Sequence, residues 1–202
     1  MKYRRYGKFR FRDYTIAWFL IVFLFVLVVD CFRTDTQFYL LIWPLLLLMD
    51  MVWSIYRPNS ERFLISGDTI TIMQGGKKQT VSIPSEPTII VSYAAVCPPL
   101  AKRIGDYRAY MLKGRYAISI LQKIPLGTAF ERLHKNYTRK YTNTAVEACF
   151  DEHLFVYSFV GNQEILDKLL SNRNCQIIIP ETLLNQISID LHQINVHIDT
   201  GY

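Results

Sequence analysis

Hydrophobic and polar positions divide the chain into two regimes. Between Tyr14 and Tyr56 apolar residues form two runs separated by Asp30-Cys31-Phe32-Arg33-Thr34-Asp35-Thr36-Gln37, and from Ile16 to Val29 no charge intervenes. After Arg57-Pro58-Asn59-Ser60 the solid run gives way to alternation. Thr69-Ile70-Thr71-Ile72-Met73 and Thr80-Val81-Ser82-Ile83 both alternate with period two, around Gln74-Gly75-Gly76-Lys77. A two-residue Gly-Gly loop fixes the register of such a hairpin. It predicts Ile70 opposite Val81 and Thr71 opposite Thr80, with Ile70, Ile72, Val81 and Ile83 on one face.

Further strands are predicted over Thr88–Tyr93, and over Tyr107–Leu112 and Arg115–Leu121, the last two as a second hairpin about Lys113-Gly114. Thr128-Ala129-Phe130-Glu131 and Thr144-Ala145-Val146-Glu147 have the S/T-x-x-E form that opens helices, predicting 129–137 and 145–151. A strand over Leu154–Val160 leads to a helix capped by Gly161-Asn162, with Ile165, Leu166, Leu169 and Leu170 as its apolar face. Cys175–Ile179, a brief helix from Pro180 and a last strand over Ile194–Ile198 complete an α+β pattern of antiparallel hairpins and short helices.

The two apolar runs are each long enough for a span, since about 18–20 residues of helix cross the ~30 Å hydrocarbon layer. They predict a transmembrane helical hairpin with helices at about 14–32 and 38–56. Domains follow as a basic tail over 1–13, the hairpin over 14–56 and an α+β domain over 58–202. Charge supports this division. Lys+Arg number 23 against 17 Asp+Glu, giving +6, and Lys2, Arg4, Arg5, Lys8, Arg10 and Arg12 precede the first run. Basic residues there orient a membrane segment and favour anionic headgroups. The expected location is an integral, multi-pass membrane protein with both termini cytoplasmic. Beyond Tyr56 the charge is nearly balanced, so nucleic acid is not an expected partner.

The hairpin and the β-meander after it resemble bacterial two-helix membrane proteins that carry a pleckstrin-homology-like cytoplasmic domain. Arg62-Phe63-Leu64-Ile65 and the Gly-Gly hairpin closing on Ser82-Ile83-Pro84 carry the likeness, over residues 14–122. The resemblance implies binding or scaffolding rather than catalysis.

Candidate chemistry is sparse. Asp50 is an acid inside an apolar run, which is costly in lipid; it would serve a small oligomeric transporter component. Cys149 and His153 stand four apart and would meet on a helix, the arrangement of an activated thiol in a membrane-surface enzyme. His197 and Asp199 share a strand face, as do Asp190 and His192, but no HExxH or paired CxxC occurs, so neither metal nor cofactor is expected. Gly75-Gly76-Lys77-Lys78 lacks the spacing of a phosphate loop and reads as a hairpin tip. Lys77 and Lys78, with Lys135, Arg139 and Lys140, are candidate contacts to lipid headgroups. The function these features favour is a membrane-anchored, non-catalytic binding or regulatory module. Its expected partners are membrane lipids and a protein or second copy.

Overall fold

The Gly-Gly turn forms as its sequence dictates. In a computed structural model, which describes residues 2–5, 15–34, 42, 45, 46, 48, 49, 61–96, 110–136, 141–171, 173–188 and 195–200, Gly75 and Gly76 take φ of 56° and 80°. Positive φ at both central positions is what a tight hairpin turn requires, and glycine reaches it without steric cost. The turn joins β3 (Thr69–Gln74) to β4 (Lys77–Ser82), with Ile70 opposite Val81 and Thr71 opposite Thr80. On the other side β3 pairs with β2 (Arg62–Ser66), and β2 with β1 (Tyr3–Arg4). The result is a four-stranded antiparallel sheet in the order β1-β2-β3-β4. The predicted 1–13 tail therefore supplies a strand.

A larger sheet follows, in the order β7-β6-β5-β8-β9. Its strands are β5 (Thr88–Val96), β6 (Tyr110–Leu121), β7 (Phe155–Val160), β8 (Gln176–Pro180) and β9 (Asn195–Asp199). β5, β6 and β7 form an antiparallel set, whereas β8 joins β5 and β9 joins β8 in parallel. The predicted second hairpin about Lys113-Gly114 is instead a single strand. Gly114 has φ 66°, and the register shifts between Tyr93 and Ala95 of β5, opposite Tyr116 and Met111. A left-handed glycine serves a bulge as readily as a turn, and the sequence does not distinguish them.

Alternation along the large sheet gives it two buried faces. Ile89, Val91, Ile118, Ile120, Tyr157, Phe159, Ile177 and Ile179 point to one side. There they meet Phe63, Ile65 and Ile70 of the small sheet and the apolar face of α4 (Gln163–Leu170), namely Ile165, Leu166 and Leu169. The Phe63 and Phe159 ring centroids are 4.7 Å apart. On the opposite side Ile90, Leu121 and Ile178 pack under α2 (Leu126–Asn136) and α3 (Asn143–Cys149). Asn162 caps α4 as its sequence predicts, its side chain accepting from the Glu164 N–H. α3 starts earlier than the Thr144 motif suggests, because the Thr142 Oγ1 accepts from the Ala145 N–H. A 3₁₀ turn, Glu181–Gln186, connects β8 toward β9.

The transmembrane hairpin over 14–32 and 38–56 is overturned. Among the described residues no helix is long and apolar enough to cross a membrane. In α1 (Thr15–Thr34) side chains are described at Phe19 and over Ile21–Asp30. Of the second segment only residues 42, 45, 46, 48 and 49 are described. The integral, multi-pass location with cytoplasmic termini falls with the hairpin, as does the transmembrane designation; the described chain is α+β.

Candidate functional site

The small sheet faces the core on one side only. Phe63 and Ile70 are fully buried, so pleating turns Arg62, Leu64, Thr71 and Met73 outward. Register then aligns four outward residues across the four strands: Arg4 pairs with Arg62, Arg62 with Met73, and Met73 with Lys78. Arg4, Arg62 and Lys78 are all exposed, as are Lys2 and Lys77, the first residue of β4. The strands of this sheet contain Arg4, Arg62, Lys77 and Lys78 but no Asp or Glu. Among the described residues, Glu164 accepts from the Tyr3 hydroxyl of β1 at 3.0 Å, and two further acids flank the sheet. Glu61 is 5% exposed and accepts from Arg5 at 3.1 and 3.2 Å, while Asp68 accepts from Arg173 at 3.1 Å. Arg4 and Arg62 stand directly opposite one another in this register.

Arg4 and Arg62 also mark where the chain departs from this sheet and returns to it. The excursion is closed by Arg5 and Glu61. Besides the ion pair, the Arg5 N–H donates to the Glu61 carbonyl at 3.0 Å, and the Val160 N–H donates to the Arg5 carbonyl at 2.6 Å. The Arg5 Nε–H reaches the Ser158 carbonyl at 2.8 Å, and the Tyr157 hydroxyl donates to Glu61 at 2.8 Å. The Arg5 guanidinium lies 5.0 Å from the Tyr157 ring centroid, a cation–π distance. Within the excursion, α1 exposes Phe19 (78%), Phe25 (69%), Val22 (59%) and Val26 (57%).

The chain matches no family model, no curated protein and no solved structure. The case for function therefore rests on the geometry of its own residues.

The sequence-predicted site residues are scattered. Lys78 belongs to the outward row just described, whereas Lys77, paired with Gln74, is exposed at the start of β4 with the opposite parity. Lys135 lies in the last turn of α2 and is exposed, while Asp50, Arg139 and Lys140 lie outside the described residues. The Cys149–His153 pairing needs a helix through both residues. α3 ends at Cys149, Phe150 is extended at φ −117° and ψ 132°, and His153 stands in an exposed turn. The helical i, i+4 juxtaposition is thus not made. Burial, opposed only weakly by Arg173, pushes the Cys175 thiol up to about 11, the reverse of thiolate activation.

His197 and Asp199 do share β9, but Asp199 turns into the fold at 3% exposure and takes His134 of α2 as partner, with Nε2 3.1 and 3.2 Å from its oxygens. Asp190 and His192 lie outside the described residues. Among the described residues, no three His, Cys, Asp or Glu side chains come together as a metal-binding group. Sequence reading missed Arg4 and Arg62 as members of the basic face. Its one available signal was that Arg62 sits a single residue before the inward-facing Phe63, which obliges it to point outward.

Proposed function

We propose that this protein is a non-catalytic binding module that associates with an anionic lipid surface. The exposure of Phe19, Val22, Phe25 and Val26 on α1 carries this reading. Contiguous large apolar side chains left in water mark a surface that another apolar phase covers. Association of such a helix with a lipid interface grows with the apolar area buried and with attraction to anionic headgroups. Cations at the Gly-Gly hairpin tip, Lys77 and Lys78, supply the second component. The resemblance to pleckstrin-homology-like modules also implies binding rather than catalysis.

Flotation of the full chain with phosphatidylcholine vesicles containing about 20 mol% phosphatidylserine tests the reading. Wild-type protein should float with the vesicles. A Phe19→Ser/Phe25→Ser variant should lose at least about tenfold in partition, since burying one Phe contributes about 1.5–3 kcal/mol. Wild-type protein that stays at the bottom of the gradient, or a variant that floats equally well, refutes it.

A further inference from the structure

We infer that the outer edge of β9 pairs with the same edge of a second copy of this chain. The two β9 strands run antiparallel about a two-fold axis at His197 and join the two large sheets into one. The residues involved take no part in the lipid-surface reading.

An outer strand presents a row of N–H and C=O groups ready to pair with another strand, and proteins blunt such rows with short strands, lysines, prolines, bulges or covering chain. Three of the four sheet ends are blunted in this way. β1 has only two residues. β4 carries Lys77 and Lys78. β7 is covered by Arg5, whose carbonyl accepts from the Val160 N–H at 2.6 Å and whose Nε–H donates to the Ser158 carbonyl at 2.8 Å. β9 has none of these devices. Its five residues, Asn195-Val196-His197-Ile198-Asp199, include no Lys, Arg or Pro. Its register with β8 runs without a shift, and among the described residues β8 is the strand it pairs with.

The side chains say which strand fits there. Val196 stands beside Ile177 and Ile198 beside Ile179, so both lie on the side of the sheet that carries the larger core. Val196 packs against that core, but Ile198 is 42% exposed. Among the described residues, every other exposed large hydrophobic side chain lies between Phe19 and Met49. A strand laid along β9 covers Ile198, and the sequence of β9 itself is matched to the task. Antiparallel about His197, Val196 of each copy falls opposite Ile198 of the other, and Asn195 opposite Asp199. Directly opposite residues share a face and touch, so apolar meets apolar on one face and polar meets polar on the other. Charge is matched as well. Asp199, the one Asp, Glu, Lys or Arg of β9, meets a neutral residue, and its carboxylate is drawn inward to His134. A slip of one residue in either direction sets both apolar residues against polar ones, which specifies the register.

Register-specific oxidation of the full-length protein tests this. Opposite Cα atoms in an antiparallel pair lie about 4.5–5.5 Å apart, within disulfide reach. His197→Cys should therefore form a disulfide-linked dimer, with wild type giving the background from its own cysteines. Val196→Cys and Ile198→Cys should cross-link to each other when mixed. Each alone should do so at least about fivefold less, because the diagonal separation of about 7–8 Å exceeds that reach. Ile198→Lys in the His197→Cys background should lose the cross-link, since a lysine blunts the edge. That change is at an exposed position and should leave urea unfolding unchanged. Phe19→Ser/Phe25→Ser in the same background should keep the cross-link, which separates pairing through β9 from association through α1.

Cross-linking of His197→Cys no greater than that of wild type overturns the inference. So does a Val196→Cys protein that links to itself as readily as to Ile198→Cys, because the register is then wrong. Loss of the cross-link in the Phe19→Ser/Phe25→Ser background assigns association to α1 and overturns it equally, as does a cross-link that survives Ile198→Lys.

Discussion

Arg5 and Glu61 lie against each other at 3.1 Å, far apart in the chain yet joined at the base of the excursion that holds α1. Their contact closes a long loop, and the entropy of bringing such ends together grows only slowly with length. A modest set of bonds therefore suffices. Here the set includes an ion pair with 17% and 7% of its side chains exposed, a backbone bond at 3.0 Å and a tyrosine hydroxyl at 2.8 Å.

Removing one partner should expose how much this closure matters. Glu61→Ala takes the nearer of two carboxylates from the partly buried Arg5 guanidinium, leaving Glu147 at 4.0 Å, and takes an acceptor from Tyr157. Breaking a buried pair from one side costs about 3–5 kcal/mol, and some residual exposure of Arg5 puts the expected loss near the lower end. Arg5→Met/Glu61→Leu should recover part of that loss, since an apolar pair of similar volume replaces the broken one, although it also removes the cation from Glu147. Urea unfolding of the three proteins measures it. A single variant as stable as wild type would show that the ends are held by the backbone bonds alone.

Gly161 meets Tyr116 where β7 turns into α4. A Cβ at Gly161 would fall 2.0 Å from Tyr116 Cε2 and 2.3 Å from Cδ2, and Tyr116 is only 9% exposed. The ring has little room to withdraw, because its own carbonyl also accepts from the Gly161 N–H at 2.8 Å. Gly161→Ala should cost about 1–3 kcal/mol, as overpacking does. Combining it with Tyr116→Ala should cost less than the sum of the two single changes, by denaturant unfolding. Strict additivity would mean that the ring does not oppose the new methyl.

Much of the β architecture is legible in residue pattern, and the reasons are local. The Gly75-Gly76 turn and the Ile70/Val81 alternation specify the first hairpin down to its register, and the Asn162 cap marks the start of α4. What escapes the sequence is long-range. Parallel pairing of β8 with β5 joins Ile177 to Ile89, and nothing in either short apolar run announces the direction of its neighbour. Gly114 shows the same limit from the other side, since one left-handed glycine fits a turn or a bulge equally. The basic row was half legible: Lys78 stands out beside a turn, whereas Arg4 joins the same sheet, at its opposite edge, only when β1 pairs with β2. The apolar runs over 14–56 were read as spans from their length, their lack of charge and the basic residues before them, and among the described residues no helix is long and apolar enough to cross a membrane.

Cys175 gives a pH dependence of definite sign. Burial raises its thiol from 9.0 to about 11, with Arg173 acting weakly in the opposite direction. In the unfolded chain the thiol ionises from about pH 9, so between 9 and 11 the folded state holds more protons than the unfolded one. Stability then falls as pH rises. The contribution is fully present below pH 9 and is lost on passing through about 11. Cys175→Ala should flatten this part of the stability curve, measured by urea unfolding at steps from pH 8 to 11. In the folded protein Cys175 should also react slowly with a thiol reagent at pH 8 and rapidly once urea unfolds it. Fast labelling of the native thiol would contradict its burial.

A layer of serines lies on the α2/α3 side of the large sheet. Ser92, Ser119 and Ser158 are fully buried on β5, β6 and β7, and Ser119 pairs directly with Ser158. None of the three Oγ atoms has a hydrogen-bond partner. Their small size lets α3 approach the sheet, and a buried hydroxyl with no protein partner costs about 1–3 kcal/mol. Alanine has nearly the same volume and no such group, so Ser119→Ala should raise stability by about 1 kcal/mol. Ser158→Ala should do the same, because Arg5 bonds the Ser158 carbonyl and not its hydroxyl. Larger replacements should have the opposite effect: Ser119→Val would force α3 away from the strands and cost about 1–3 kcal/mol. Thermal and denaturant unfolding of the three variants separates the two contributions. A destabilised Ser119→Ala would show that the hydroxyl holds a buried water, which a protein interior retains only where two or more polar groups bind it.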